Sequence, residues 1–324
     1  MLLSTSNSET KDRSSRLALA TVVLLALIAV LLAGLEVFAR VIVERHSKVQ
    51  RMVNEEYQAA IHLRKTPGSK TKNILILGNS LVGQGIDFGA LQQTLPPDWK
   101  AHRFWIYNTY YTDWYFGLRR LFAEGSRPDV VAILFPALHL CVSSIRGDYF
   151  SHYLMQTQDL MQVRTQLGLD RTTTANLLFA RVSKFYAIRS EIRKVFLQSL
   201  MPDLPQMYSL MKPREGWDLT DQQVTDICAE RLTVYRKIAE AYGSKLVLLV
   251  PPIPRPSAEH HDALRIAAKR AGVETVIPMA YADVPTGEFI DDIHLSPIGA
   301  EIYTRKLVQT LTPRMNNWGS ANGR

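Results

Sequence analysis

Cysteine is nearly absent. The chain has two, Cys141 and Cys228, in 324 residues, too few for a disulfide framework and without the spacing of a metal site. They read as two separate buried thiols. A single disulfide is open to them only if the domain lies outside the cytoplasm. Histidine clusters are also missing: His102, His152, His260 and His261 make no ligand set. There is no glycine-rich nucleotide loop, so neither a metal nor a cofactor is expected. The formal net charge is +8, yet the chain has no zinc-finger spacing, no RNA-binding motif and no dense basic run, which argues against nucleic acid. The charge better suits an anionic membrane surface or an acidic polymer. Internal repeats and low-complexity segments are absent as well.

Charge itself is missing from residues 17–35, a run of Leu, Ala, Val and Ile long enough to cross a bilayer. A secretory leader would have a shorter apolar region and a cleavage site. Here the helical pattern continues through Glu36, Val37, Phe38 and Arg40, so residues 17–38 read as an uncleaved, single-pass anchor. Glu36 and Arg40 can pair one turn apart at the interface. Basic residues flank both ends, so charge does not choose the orientation. Residues 1–16 read as a disordered polar tail, and 39–72 as a juxtamembrane helical stalk followed by a Pro-Gly-Ser linker. An α/β domain is expected over 73–312, with a loose tail over 313–324.

Within 73–312 the apolar runs alternate with helical patterns. Strands are expected at 73–78, 103–108, 130–135, 245–250 and 274–278. Helices are expected at 81–95, 110–122, 220–242, 258–271 and 298–311. This alternation implies a doubly wound, mostly parallel five-stranded sheet with helices on both faces. Residues 148–216 break the rhythm and read as a helical insertion capping the sheet. Arg181, Lys184, Arg189, Arg193 and Lys194 give it a basic face, either solvated or meeting anionic lipid, polymer or protein.

Two pieces of sequence can carry chemistry. In Ile74-Leu75-Ile76-Leu77-Gly78-Asn79-Ser80 a buried strand ends abruptly at a turn. A serine there lies at the carboxyl edge of the sheet, where such sheets bind ligands. A serine hydroxyl is a weak nucleophile until an adjacent base takes its proton. That base is available in Asp291-Asp292-Ile293-His294. The i, i+3 spacing lets a carboxylate orient the imidazole and favour its charged form, leaving the other ring nitrogen for the serine. Either Asp291 or Asp292 can fill that role, with Asp291 the better placed. Ser296-Pro297 then opens a helix. Amides beside Ser80, at Asn79 and Leu81, can face a developing oxyanion.

Together these two blocks resemble the SGNH (GDSL-like) hydrolase superfamily. Its members carry a Gly-Asp-Ser type block after the first strand and an Asp-x-x-His-Leu-x-Pro-x-Gly-Ala block near the C-terminus. Here the second block reads Asp291-Asp292-Ile293-His294-Leu295-Ser296-Pro297-Ile298-Gly299-Ala300. The resemblance implies a flavodoxin-like fold with Ser80 as nucleophile, His294 as base and Asp291 as its orienting carboxylate. Two expected oxyanion donors are missing, a glycine after the second strand and an asparagine after the third. Asn108 and His139 stand near those places. Anchored members with helical insertions are similar to envelope proteins of alginate O-acetylation and teichoic-acid D-alanine transfer. That likeness implies acyl transfer or ester hydrolysis on an envelope polysaccharide, outside the inner membrane and alongside a membrane acyl-transfer partner. The same scaffold without activity would be a protein that binds a polymer or an assembly partner.

Overall fold

The structure is a computed structural model that describes residues 7–318 except 44, 46, 66, 67 and 202–218. In chain order the helices and strands are α1 (Asn7–Val37), a π-helical turn (Phe38–Val43), α2 (Lys48–Ile61), β1 (Lys72–Gly78), α3 (Ser80–Gly85), α4 (Phe88–Thr94), β2 (Trp99–Trp105), α5 (Tyr111–Ala123), β3 (Val130–Leu134) and α6 (Ala137–Cys141). After an irregular helical stretch at 147–159 come α7 (Leu160–Leu167), α8 (Arg171–Val182) and α9 (Lys184–Leu200). The chain then forms α10 (Asp221–Glu240), β4 (Lys245–Leu249), α11 (His261–Ala271), β5 (Glu274–Val276) and α12 (Pro297–Trp318).

The five strands form one all-parallel sheet in the order β2-β1-β3-β4-β5. Alternation along each strand sends side chains to opposite faces. Leu75, Leu77, Val131, Ile133, Leu246 and Leu248 meet α2, α5, α10 and α11 on one side. Ile74, Ile76, Ala132, Leu134, Val247 and Leu249 meet α3, α4 and α12 on the other. Both faces are therefore dry, as a parallel sheet requires. Between β1 and β3 the winding reverses direction, which opens a crevice at their carboxyl ends.

Several elements differ from the sequence expectation. The helix expected at 81–95 is broken in two. Asp87 stops it by capping α4 through Ala90 N (3.0 Å), while its own amide donates to Thr304 Oγ1 on α12 (2.9 Å). β2 begins at Trp99 and has left the sheet by Ile106. It is an edge strand, so it carries Lys100, His102 and Arg103 instead of a continuous apolar run. α12 extends into the expected tail as far as Trp318. There Leu311, Met315 and Trp318 continue its buried stripe, and Trp318 Nε1 donates to Glu274 (2.7 Å). At the other end α1 begins at Asn7, inside the stretch expected to be disordered. Residues 1–6 and 319–324, the linker positions 66 and 67, and the insertion from 202 to 216 lie outside the described residues.

The expected stalk is part of the domain. Val53, Tyr57 and Ala60 of α2 are buried in the core, spaced at one helical face. Ser126 Oγ donates to the Ala60 carbonyl (2.7 Å) and Arg103 pairs with Glu56 (2.6 Å), which closes α2 over the β2 edge. Nor are the two thiols separate. Cys141 Sγ and Cys228 Sγ lie 3.6 Å apart, linking α6 to α10, and Cys141 is only half-buried.

The described part of the insertion is a run of helices joined by short turns, but its basic face is thinner than expected. Lys184 is buried, and its ammonium donates to the Tyr153 hydroxyl. Arg181 is half-buried, and its pKa is lowered by burial and then by the neighbouring Arg120. Arg189 lies against the Tyr186 ring, 3.8 Å from its centre, and Arg193 is exposed. The Lys194 side chain lies outside the described residues.

Candidate active site

Ser80 is the first residue of α3, and Asn79, the N-cap of that helix, separates it from β1. Two glycines allow the turn. A Cβ on Gly78 would meet Val82 at 2.7 Å and the Leu134 carbonyl at 2.9 Å; one on Gly83 would enter the Trp105 ring at 2.2 Å. These close approaches press α3 against β2 and β3 and fix the hydroxyl at the sheet edge.

The segment from 288 to 296 folds back on itself. Phe289 and Leu295 form an antiparallel bridge, Ile290 N donates to His294 O (2.9 Å) and Ser296 N to Glu288 O (2.8 Å). Ser296 Oγ donates to the Glu288 carboxylate and accepts from Gly299 N (3.0 Å). A side chain at 299 would strike the Glu288 carbonyl at 2.7 Å, so glycine is needed where α12 begins. This fold-back delivers His294 across 214 residues to Ser80: Nε2 lies 2.8 Å from Oγ.

On the other side of the ring, Nδ1 lies 2.8 Å from Asp291 Oδ2. Asp291 Oδ1 accepts the amides of Ile293 (2.9 Å) and His294 (2.8 Å), so the carboxylate is held in one orientation. Partial burial pushes its pKa up. The bonds from the His294 ring and from the two amides outweigh that and hold it below the usual carboxylate range. With Nδ1–H donated to the carboxylate, Nε2 is left as the acceptor for the serine proton. Asp292 points elsewhere, toward Arg255 (4.0 Å), and is 84% exposed. Of the two adjacent carboxylates, Asp291 is therefore the one joined to the ring.

The residues expected to face an oxyanion divide. Leu81 N is already bonded to Asn79 Oδ1 (3.1 Å), so it has no proton to spare. The Asn79 side-chain amide is also committed: Nδ2 donates to the Thr109 carbonyl (3.0 Å) and to His139 Nδ1 (2.8 Å). The Asn79 side chain thus ties the loops after β1, β2 and β3 together. Asn108 is exposed and has φ 52°, in the left-handed region that glycine favours, so it replaces glycine in backbone shape.

His139 differs from these in keeping a ring proton. Because Nδ1 accepts from Asn79, the ring proton of the neutral form sits on Nε2. Burial, and then the charge of nearby His294, push its pKa down to about 3, so the ring stays neutral. Phe135 and Tyr110 meet it edge-on. The Ser80 amide, at the first helical position, likewise has no acceptor inside α3.

Sequence reasoning missed Thr109 and Glu288. Thr109 Oγ1 donates to Ile106 O (2.7 Å) and accepts from Trp114 Nε1 (3.0 Å), which holds the loop that Asn79 grips. Neither residue has a local sequence signal. Among the described residues no group of His, Cys, Asp and Glu could hold a metal ion.

No family model and no curated protein matches the chain. Solved structures do. One is protein YXIM from Bacillus subtilis, at 8% identity and TM-score 0.39, covering 76% of this chain and 57% of that one. Another is an α/β hydrolase enzyme from the metagenome of Lake Arreo, Spain, at 12% identity and TM-score 0.38, covering 75% and 97%. A third is a GDSL-like lipase from Bacteroides thetaiotaomicron, at 11% identity and TM-score 0.37, covering 82% and 97%. At such identities and scores these likenesses bear on neither activity nor substrate.

Proposed function

We propose that this chain is a membrane-anchored serine esterase or O-acyltransferase of the SGNH hydrolase kind. The observation that carries the reading is the unbroken hydrogen-bonded line from Ser80 Oγ through His294 to Asp291, with 2.8 Å at both joints. His294 Nε2 takes the hydroxyl proton as Oγ attacks an acyl carbonyl carbon. The Asp291 carboxylate steadies the imidazolium that forms. The oxyanion of the tetrahedral species faces the Ser80 amide and His139 Nε2–H. The imidazolium then returns its proton to the departing alkoxide oxygen, leaving an acyl ester on Ser80. Attack by water completes hydrolysis, and attack by a sugar hydroxyl completes transfer.

The anchor supports a location. Residues Arg16–Val41 are long and apolar enough to cross a membrane, judged by length and composition. On this reading the chain is a single-pass protein of the inner membrane with its α/β domain outside the cytoplasm. The substrate class is then an acetyl-type ester on an envelope polysaccharide, with a membrane acyl-transfer protein as partner. The thinned basic face of the insertion takes away one argument for an anionic glycan.

A fluorophosphonate probe tests the chemistry. Full-length wild type is expected to be labelled and Ser80→Ala not. A folded wild type that resists labelling would leave the runner-up, an inactive scaffold that binds a polymer or assembly partner.

A further inference from the structure

We propose that the helical insertion rests on the bilayer surface through an apolar face formed by Leu178, Phe179 and Val182 of α8 with Phe196 and Leu200 of α9. This inference relies on α1 being a membrane span.

The starting point is Glu36, in the last turn of α1. Its carboxylate accepts the Lys184 amide (2.9 Å), the Phe185 amide (3.2 Å) and the Ser183 hydroxyl (2.8 Å), while Arg40 Nε donates to it at 2.7 Å. A carboxylate is the favoured group at a helix N-terminus. The start of α9 is therefore fixed to the end of the apolar helix, and Ala39, fully buried, lies beside that joint.

Length then sets the depth. At 1.5 Å per residue, Glu36 stands about 28 Å along the helix from Leu17, close to the ~30 Å of bilayer hydrocarbon. The residues around Ser183 thus lie at the membrane boundary.

The neighbouring side chains suit that position. Val182 directly precedes Ser183 and is 62% exposed; Phe179 is 54% exposed and Leu178 38%. Their spacing puts them on one side of α8. Toward the far end of α9, Phe196 and Leu200, one turn apart, are 62% and 64% exposed. A water-facing helix normally keeps such positions polar. Large exposed apolar side chains grouped beside a membrane-length helix, with Arg193 exposed nearby, match a helix lying in the lipid interface.

The experiment uses full-length protein in phosphatidylcholine vesicles, in a Cys141→Ala, Cys228→Ala background. A bimane label is placed separately at Phe179→Cys, Leu200→Cys, Leu24→Cys and Ile266→Cys. Nitroxide lipids labelled near the headgroup, for 179, 200 and 266, and deep in the acyl chain, for 24, are used together with aqueous iodide as quenchers. Labels at 179 and 200 are expected to lose most of their emission to the nitroxide lipid and little to iodide, with 266 behaving oppositely. Iodide quenching at 179 and 200, with 24 still quenched by lipid, overturns the docking and leaves the anchor intact. Shielding of 179 and 200 from both quenchers also overturns it, in favour of a protein covering that face. Failure of lipid to quench at 24 removes the anchor reading and this inference with it. None of these outcomes bears on Ser80 chemistry.

Discussion

The side-chain amide of Asn79 donates to Nδ1 of His139 at 2.8 Å, and this bond decides which nitrogen of the histidine carries its proton. The Asn79 carbonyl oxygen is committed to Leu81 N, so the amide cannot turn round and reverse the donor. His139→Ala should therefore lower kcat about a hundredfold, as for loss of one oxyanion donor, with KM little changed. Steady-state hydrolysis of a small aryl acetate reads both constants. An unchanged kcat would remove His139 from the reaction.

Asp291 and Asp292 are adjacent in sequence but should behave differently. Asp291→Asn replaces an ionised acceptor with a neutral amide and leaves the imidazolium unsupported, with an expected loss of roughly a hundred- to ten-thousandfold in kcat/KM. Asp292→Asn changes only an exposed group at 4.0 Å from Arg255, and near wild-type activity is expected. Equal losses in both variants would contradict the geometry.

Two histidines tie stability to pH. Burial, then nearby positive charge, holds both His139 and His152 at about 3, below the usual histidine value of ~6.5. Between those limits the unfolded chain binds more protons than the folded one, so stability falls as pH drops from about 6.5 toward 3. Melting temperature measured across that window should decline on acidification. His152→Gln should flatten the slope, provided its melting temperature at neutral pH confirms that it folds.

The Cys141–Cys228 contact gives a redox expectation. A disulfide-forming oxidant such as diamide should take two electrons and two protons from the pair and join α6 to α10. Peptide mapping under non-reducing conditions would show the cross-linked fragment. Both thiols remaining free to alkylate after oxidant treatment would show that the 3.6 Å approach is not reached in solution.

What the sequence disclosed follows the range of the interactions concerned. β1 could be read because both its faces are buried, which leaves a continuous apolar run. β2 was misplaced because an edge strand tolerates lysine, histidine and arginine. Asp291 and His294 could be read because they are three residues apart and bond each other directly. The Asn79–His139 bond spans 60 residues and leaves no local pattern, so the brace that the Asn79 side chain makes between loops is not legible. Lys184 looked like surface charge, although its ammonium is turned inward to Tyr153. α2 carried its buried stripe openly in Val53, Tyr57 and Ala60, but nothing nearby in the chain named the surface it would cover.

The seating of α2 has a practical corollary for anyone who wants the α/β domain without its apolar N-terminal helix. A cut just ahead of β1, which looks natural on paper, would strip a wall from the interior and uncover Phe104, whose ring packs against Tyr57. Such a fragment should precipitate or misfold. Ser47 caps α2 through Gln50 N (3.2 Å), so a recombinant version that begins just before Ser47 keeps both the cap and the wall.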